Sequence, residues 1–148
     1  MTAPSPQQLP NPLVLTWVVQ LIGTMVIAVV VYFYVQKAGA PWTGLDAEWA
    51  RYALIGGLLS IIPALLYLTT YRRVLDPYLA DQKSEKPNPA LRTAVASKLA
   101  IGGALAELPM AFGSAHLLMG GEMRWFLSGV LVSLALRTSF RPFIRKAR

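Results

Sequence analysis

Residues 99–119, LAIGGALAELPMAFGSAHLLM, form one apolar run that carries a single carboxylate, Glu107, with Pro109 two positions later. As a helix rising 1.5 Å per residue the run reaches roughly 30 Å, the thickness of a bilayer's hydrocarbon core. Lys98 precedes it and Gly120-Gly121 closes it. Measured from Lys98, Glu107 lies about 13 Å inward, close to the bilayer midplane. An ionised carboxylate there costs roughly 2.5–3.5 kcal/mol or more. Glu107 must therefore be neutral, paired or turned toward a polar cavity.

Three further apolar runs cover residues 13–35, 52–71 and 123–136. Together they predict an all-α integral membrane bundle of four transmembrane helices, two antiparallel hairpins, at about 13–35, 52–71, 99–119 and 123–136. A proline-rich leader (1–12) precedes this 13–140 domain, and a basic tail (141–148) follows it. Hydrophobic residues make up 55% and charged residues 14%, against about 25% charged in a soluble domain. The charge is concentrated between the apolar runs, as in polytopic membrane proteins.

Composition also removes function classes. The chain has no cysteine and one histidine, His116, so a thiolate nucleophile, a cysteine metal site or a multi-histidine site within the chain is excluded. No nucleophile and base cluster, so no enzyme activity and no cofactor is expected. A net charge of +7 would fit nucleic acid, but the cations flank apolar helices, where they set orientation in a bilayer. Nucleic acid is not an expected partner; membrane lipids and other integral membrane subunits are.

The leader has prolines at 4, 6, 10 and 12 and no charged side chain. It lacks the cationic start of a signal peptide, so residues 13–35 read as an uncleaved first span. Gln20 is the one strongly polar side chain in it. Trp17 at one end and Tyr32, Phe33 and Tyr34 at the other fit the interfacial belts. In the second span Gly56, Ser60 and Ala64 recur every four residues, a stripe that admits a neighbouring helix. Pro63 is expected to kink that span. Residues 72–98, with prolines at 77, 87 and 89 and mixed charges, read as a surface loop. The fourth run is short, so it must thin the bilayer, snorkel Arg124 and Arg137, or extend past Phe140. In the tail, Arg141, Arg145, Lys146 and Arg148 are expected at lipid headgroups.

Lysine and arginine counts set the orientation. Arg72, Arg73, Lys83, Lys86, Arg92 and Lys98 lie in the middle connector, and Arg137, Arg141, Arg145, Lys146 and Arg148 in the tail. Only Lys37, Arg51 and Arg124 lie in the other two connectors. The termini and middle connector are thus expected in the cytoplasm of a bacterium, the spans in its inner membrane.

Glu107 has two readings: a protonatable group that moves protons or binds a cation, or a neutral or hydrogen-bonded carboxylate that fixes helix packing. The structural reading leads, with Gln20 as partner, because the two sit at nearly equal depth in spans running the same way. Gly103 and Ala111 beside Glu107 read as a helix-packing face, and Pro109 as a second kink that frees the Leu105 carbonyl. His116, about 180° around the helix from Glu107, reads as interfacial or packed. Ile55-Gly56-Gly57 with Pro63 recurs as Ile101-Gly102-Gly103 with Pro109, a pattern short enough to arise by chance.

The run ALAELP (104–109) resembles the carboxylate helix of the c-type proteolipids of rotary ATPases. The stretch ARYALIGGLLSIIPALLYLTTYRR (50–73) is similar to a helix of ATP synthase protein I, a small four-span protein linked to rotor-ring assembly. In layout the chain resembles small four-span bacterial membrane proteins with a proline-rich leader, a basic middle connector and an A-x-E helix. The resemblances imply a non-catalytic accessory subunit of a larger, bioenergetic membrane complex. They leave open a proton- or cation-translocating protein using Glu107, and a membrane assembly factor acting through the basic connector and tail.

Overall fold

The computed structural model describes residues 11–45, 47–82, 84 and 86–143. The leader up to residue 10 and the tail positions Arg145, Lys146 and Arg148 lie outside the described residues. The described chain is helical: α1 Pro12–Ala38, α2 Ala47–Leu59, α3 Ile61–Asp81, α4 Pro89–Leu118 and α5 Met123–Ser139. Three stretches are long and apolar enough to cross a membrane: α1, the run through α2 and α3, and α4. This is the pattern of a multi-pass membrane protein. At 17 residues α5 is shorter.

Two of the starts use the same device. Asn11 accepts from the Leu13 N–H at 3.1 Å, and Asn88 from the Ala90 N–H at 2.9 Å. Each is followed by proline at the first helical position, where no N–H is needed. Gly39 (φ 75°) stops α1 and Gly120 (φ 86°) follows α4, left-handed conformations that glycine adopts without strain.

The middle connector is not a loop over 72–98. Helix α3 runs on to Asp81 and α4 begins at Pro89, so a short connection separates them. The prolines misled. Pro77 is exposed within α3, and Pro89 is a helix start. What decides the matter is an apolar stripe: Tyr71, Leu75 and Tyr78 cluster with Val95 and Leu99 of α4. The second apolar run also departs from a simple kink at Pro63. The helix is interrupted at Ser60, whose N–H still bonds the Gly56 carbonyl at 2.9 Å and whose hydroxyl bonds that of Gly57 at 2.7 Å. Pro63 has no N–H to offer the Leu59 carbonyl, which is where α2 ends.

Helix α4 is the centre of the molecule and packs against every other helix. It runs opposite to α5, with Gly113 against Phe126, Met110 against Ser133, Gly103 against Arg137 and Gly102 against Phe140. A methyl group on Gly129 would strike the Pro109 carbonyl at 2.6 Å, so the two backbones touch there. On the other side the Phe112 ring occupies the space beside Gly56. Helix α1 lies along the α4–α5 seam on one stripe of residues, Leu13, Trp17, Gln20, Thr24 and Ala28.

Candidate functional site: a buried arginine–glutamate pair

The site grows from the direction of side chains on antiparallel helices. A Cα–Cβ bond tilts toward the N-terminus of its own helix. Glu107 on α4 therefore leans toward Gly103, and Arg137 on α5, level with Gly103, leans back toward Glu107. The two side chains converge. Arg137 Nη2 donates to Glu107 Oε1 and, at 3.0 Å, to the Gly103 carbonyl, while Nη1 donates to Gln20 Oε1 at 2.9 Å.

Helix α1 completes the cluster. The Thr24 hydroxyl lies 3.2 Å from Glu107 Oε1 and 3.0 Å from the Gln20 carbonyl, so its single proton is shared or alternates between them. Trp17 Nε1 donates to the Arg137 carbonyl at 2.9 Å, which fixes the end of α5 against α1. Gly103 has no room for a side chain: an added methyl would lie 3.0 Å from both Arg137 Nη1 and Gln20 Oε1. Burial is unequal across the pair. The Arg137 side chain is 2% exposed and that of Glu107 is 39% exposed. Among the described residues, Arg137 Nε has no hydrogen-bond partner, and both donors to the carboxylate reach Oε1 rather than Oε2.

This cluster can hold three helices in one register. It can also keep a carboxylate ionised in an apolar setting without a bound cation, because Arg137 supplies the compensating charge. Comparison with family models, curated proteins and solved structures gives no match for this chain. The chemistry of the site is therefore read from its geometry alone.

Glu107 and Gln20 are brought together, but through Arg137 rather than directly. Snorkelling of Arg137 from the end of a short span was one of three expectations; Arg137 is instead the largest fully buried side chain among the described residues. The reason is register: it falls opposite glycine, on the face of α5 that packs against α4. Thr24 was missed altogether, although it lies one turn after Gln20 on the same stripe. Ser60 and Ala64 are buried, whereas Ala111, expected on a packing face, is exposed within the chain because it points away from α5. Pro109 does not interrupt α4. Ser133 receives the Met110 N–H at 2.9 Å, so a neighbouring helix serves backbone that the proline disturbs. Arg141 is exposed just after α5.

His116 stands apart from the pair. Its Nδ1 lies 2.8 Å from the Ala50 carbonyl, and its Nε2 accepts the Glu122 N–H at 3.1 Å. That pattern requires the neutral ring with its proton on Nδ1. Both nitrogens are engaged, tying α2 to the turn between α4 and α5, and no lone pair is left for a ligand. Trp42 N–H bonds the Leu118 carbonyl at 2.9 Å and draws the first connection onto the same end.

Proposed function

We propose that this chain is a four-pass bacterial inner-membrane protein that serves as a non-catalytic accessory subunit of a larger membrane complex. The passes are α1, α2 with α3, α4, and α5, and the termini and the α3–α4 connection lie in the cytoplasm. The excess of lysine and arginine at that end supports the orientation. A bioenergetic complex is the class that the resemblance of ALAELP and of residues 50–73 favours.

The observation that carries the reading is the Glu107–Arg137 pair. The one carboxylate of the apolar core has its charge balanced within the chain, so its ionised form needs no cation to bind or carry. Against this stands the alternative of a proton- or cation-translocating protein, which the 39% exposure of Glu107 keeps specific. The pair also alters what Glu107→Gln should do. With Arg137 beside it, glutamine leaves a buried cation uncompensated, so the single substitution destabilises under either reading.

The decisive variant is therefore the double Glu107→Gln, Arg137→Gln, which removes both charges together. Under the accessory reading it inserts, co-purifies with its partner subunits and leaves the activity of that complex intact. A double variant that assembles normally but abolishes proton or cation movement would overturn the accessory reading in favour of translocation.

A further inference from the structure

One imidazole gathers the end of the bundle opposite the termini. His116, 7% exposed in the last turn of α4, bonds two other segments: Nδ1 meets the Ala50 carbonyl of α2 at 2.8 Å, and Nε2 accepts the Glu122 N–H at 3.1 Å. Helix α5 has no side-chain cap of its own, so this ring is what anchors the N–H of its N-cap residue, Glu122. Gly121 closes the space on the same side, where an added methyl would collide with Nε2 and Cδ2.

An imidazole can hold this pair of bonds only while neutral, because a proton on Nε2 turns the acceptor into a donor. Two N–H groups would then face each other across the place of the present bond, and with Gly121 against the ring the turn has to move. We propose that His116 is a pH-sensitive latch: the neutral ring holds the α4–α5 turn and the start of α5 in place, and its protonation releases them. The sign follows from the geometry. The closed turn accepts only the unprotonated ring and the open turn accepts either, so acid favours the open form and closure returns as the pH rises. The cation that forms is not stranded. It stands in the last turn of α4, where the helix dipole favours positive charge, and Nδ1 still donates to Ala50.

Among the described residues, no charged group bonds the ring. The Glu122 carboxylate, on the turn itself, accepts from Arg124 of α5 at 2.9 Å. On α2, Glu48 and Arg51 flank Ala50 and are exposed, as is Lys37 in the last turn of α1. Glu107 is nine residues back and on the opposite side of α4. Asp46, in the connection between α1 and α2, lies outside the described residues. Under the orientation proposed above, the latch responds to the pH of the outer compartment. This inference goes beyond the accessory reading and stands or falls separately from it.

The test is amide hydrogen exchange of the full chain in detergent from about pH 7.5 to about pH 5, the range in which imidazoles ordinarily titrate. Protection of residues 119–123, relative to an unstructured chain at the same pH, is followed beside the nitrogen NMR signals of the His116 ring. Two variants separate the ring's nitrogens. His116→Gln puts an amide oxygen near the Nε2 position and cannot titrate. His116→Asn puts an amide N–H near the Nδ1 position and offers Glu122 no acceptor. Expected are a tenfold or greater loss of protection in the parent as the ring takes up its second proton, protection independent of pH with Gln, and low protection at both extremes with Asn. Protection in the parent that survives protonation of the ring overturns the proposal. So does a loss that occurs while the ring is still neutral, or one that the Gln variant shares. The first two of these outcomes need only the parent, so they decide the matter even where a variant fails to fold.

Discussion

Helix α5 carries an arginine near each end, and each arginine meets a glutamate. At the start, Arg124 bonds Glu122 with side chains 70% and 59% exposed; at the end, Arg137 bonds Glu107 with its own side chain 2% exposed. The functional groups are identical and their consequences are not. An exposed pair exchanges hydration for a weak, screened attraction and a loss of side-chain freedom, and nets roughly 0–1 kcal/mol. In the second pair the guanidinium has given up its hydration while the carboxylate keeps part of its exposure, so Arg137 depends on Glu107 more than Glu107 depends on it. Local sequence names the ion pair; the packing around it decides what the pair is worth.

The largest expected effect tests that dependence. Glu107→Leu should lower stability by about 3–5 kcal/mol, because it strands the buried Arg137 charge, whereas Arg137→Leu should cost less, because the carboxylate it leaves behind is 39% exposed. Denaturant titration of the detergent-solubilised protein would measure it; a loss below about 1 kcal/mol would make the buried pair no different from the exposed one. The double Glu107→Leu, Arg137→Leu sharpens the comparison. It should cost less than either single change, since no stranded charge remains, and a double-mutant cycle should return a strong coupling. Additive losses would mean that the two residues act separately.

A smaller effect is expected one contact out from the pair. Thr24→Val removes a hydroxyl from Glu107 Oε1 while keeping the side chain's shape, and bonds of this type in membranes average about 0.6 kcal/mol, reaching about 1.7. Folding titrations of this variant beside the parent would show whether α1 is held by more than apolar contact. Smallest of all, Arg124→Ala should change stability by at most about 1 kcal/mol, an effect that 1 M salt abolishes. A loss that persists in high salt would show that the exposed pair has been undervalued.

Much of the architecture was legible because apolar length is written directly into the chain. The first and fourth apolar runs lie within single helices, the third ends one residue past α4, and the second is divided between α2 and α3 at Ser60, while the place of Glu107 on α4 follows from residue spacing. Arg137 was not legible as a core residue. Its neighbours Thr138 and Ser139 read as the edge of a tail, and only the α4–α5 register, set by glycines at 103, 113 and 129, turns it inward. The middle connector failed for a different reason. Its prolines outweighed the spacing of Tyr71, Leu75 and Tyr78, which is helical and apolar.

The two glycine–proline segments show why local pattern alone misleads. Ile55-Gly56-Gly57 with Pro63 and Ile101-Gly102-Gly103 with Pro109 are the same string in outline, yet the first lies at a helix interruption and the second inside a continuous helix. Pro63 is exposed, whereas Pro109 is buried against α5, where Ser133 accepts from the adjacent Met110 N–H. The difference resides in the partner helix, which the string does not contain.

The pairing of Arg137 with Glu107 also bears on how the protein would experience an energised membrane. A potential of 100 mV does roughly 2.3 kcal/mol of work on one elementary charge carried fully across. The guanidinium and carboxylate are opposite unit charges in contact, so a rigid displacement of α4 with α5 moves almost no net charge, and the field's pull on one cancels its pull on the other. In a membrane the Glu107–Arg137 pair would therefore contribute almost no charge movement to such a displacement.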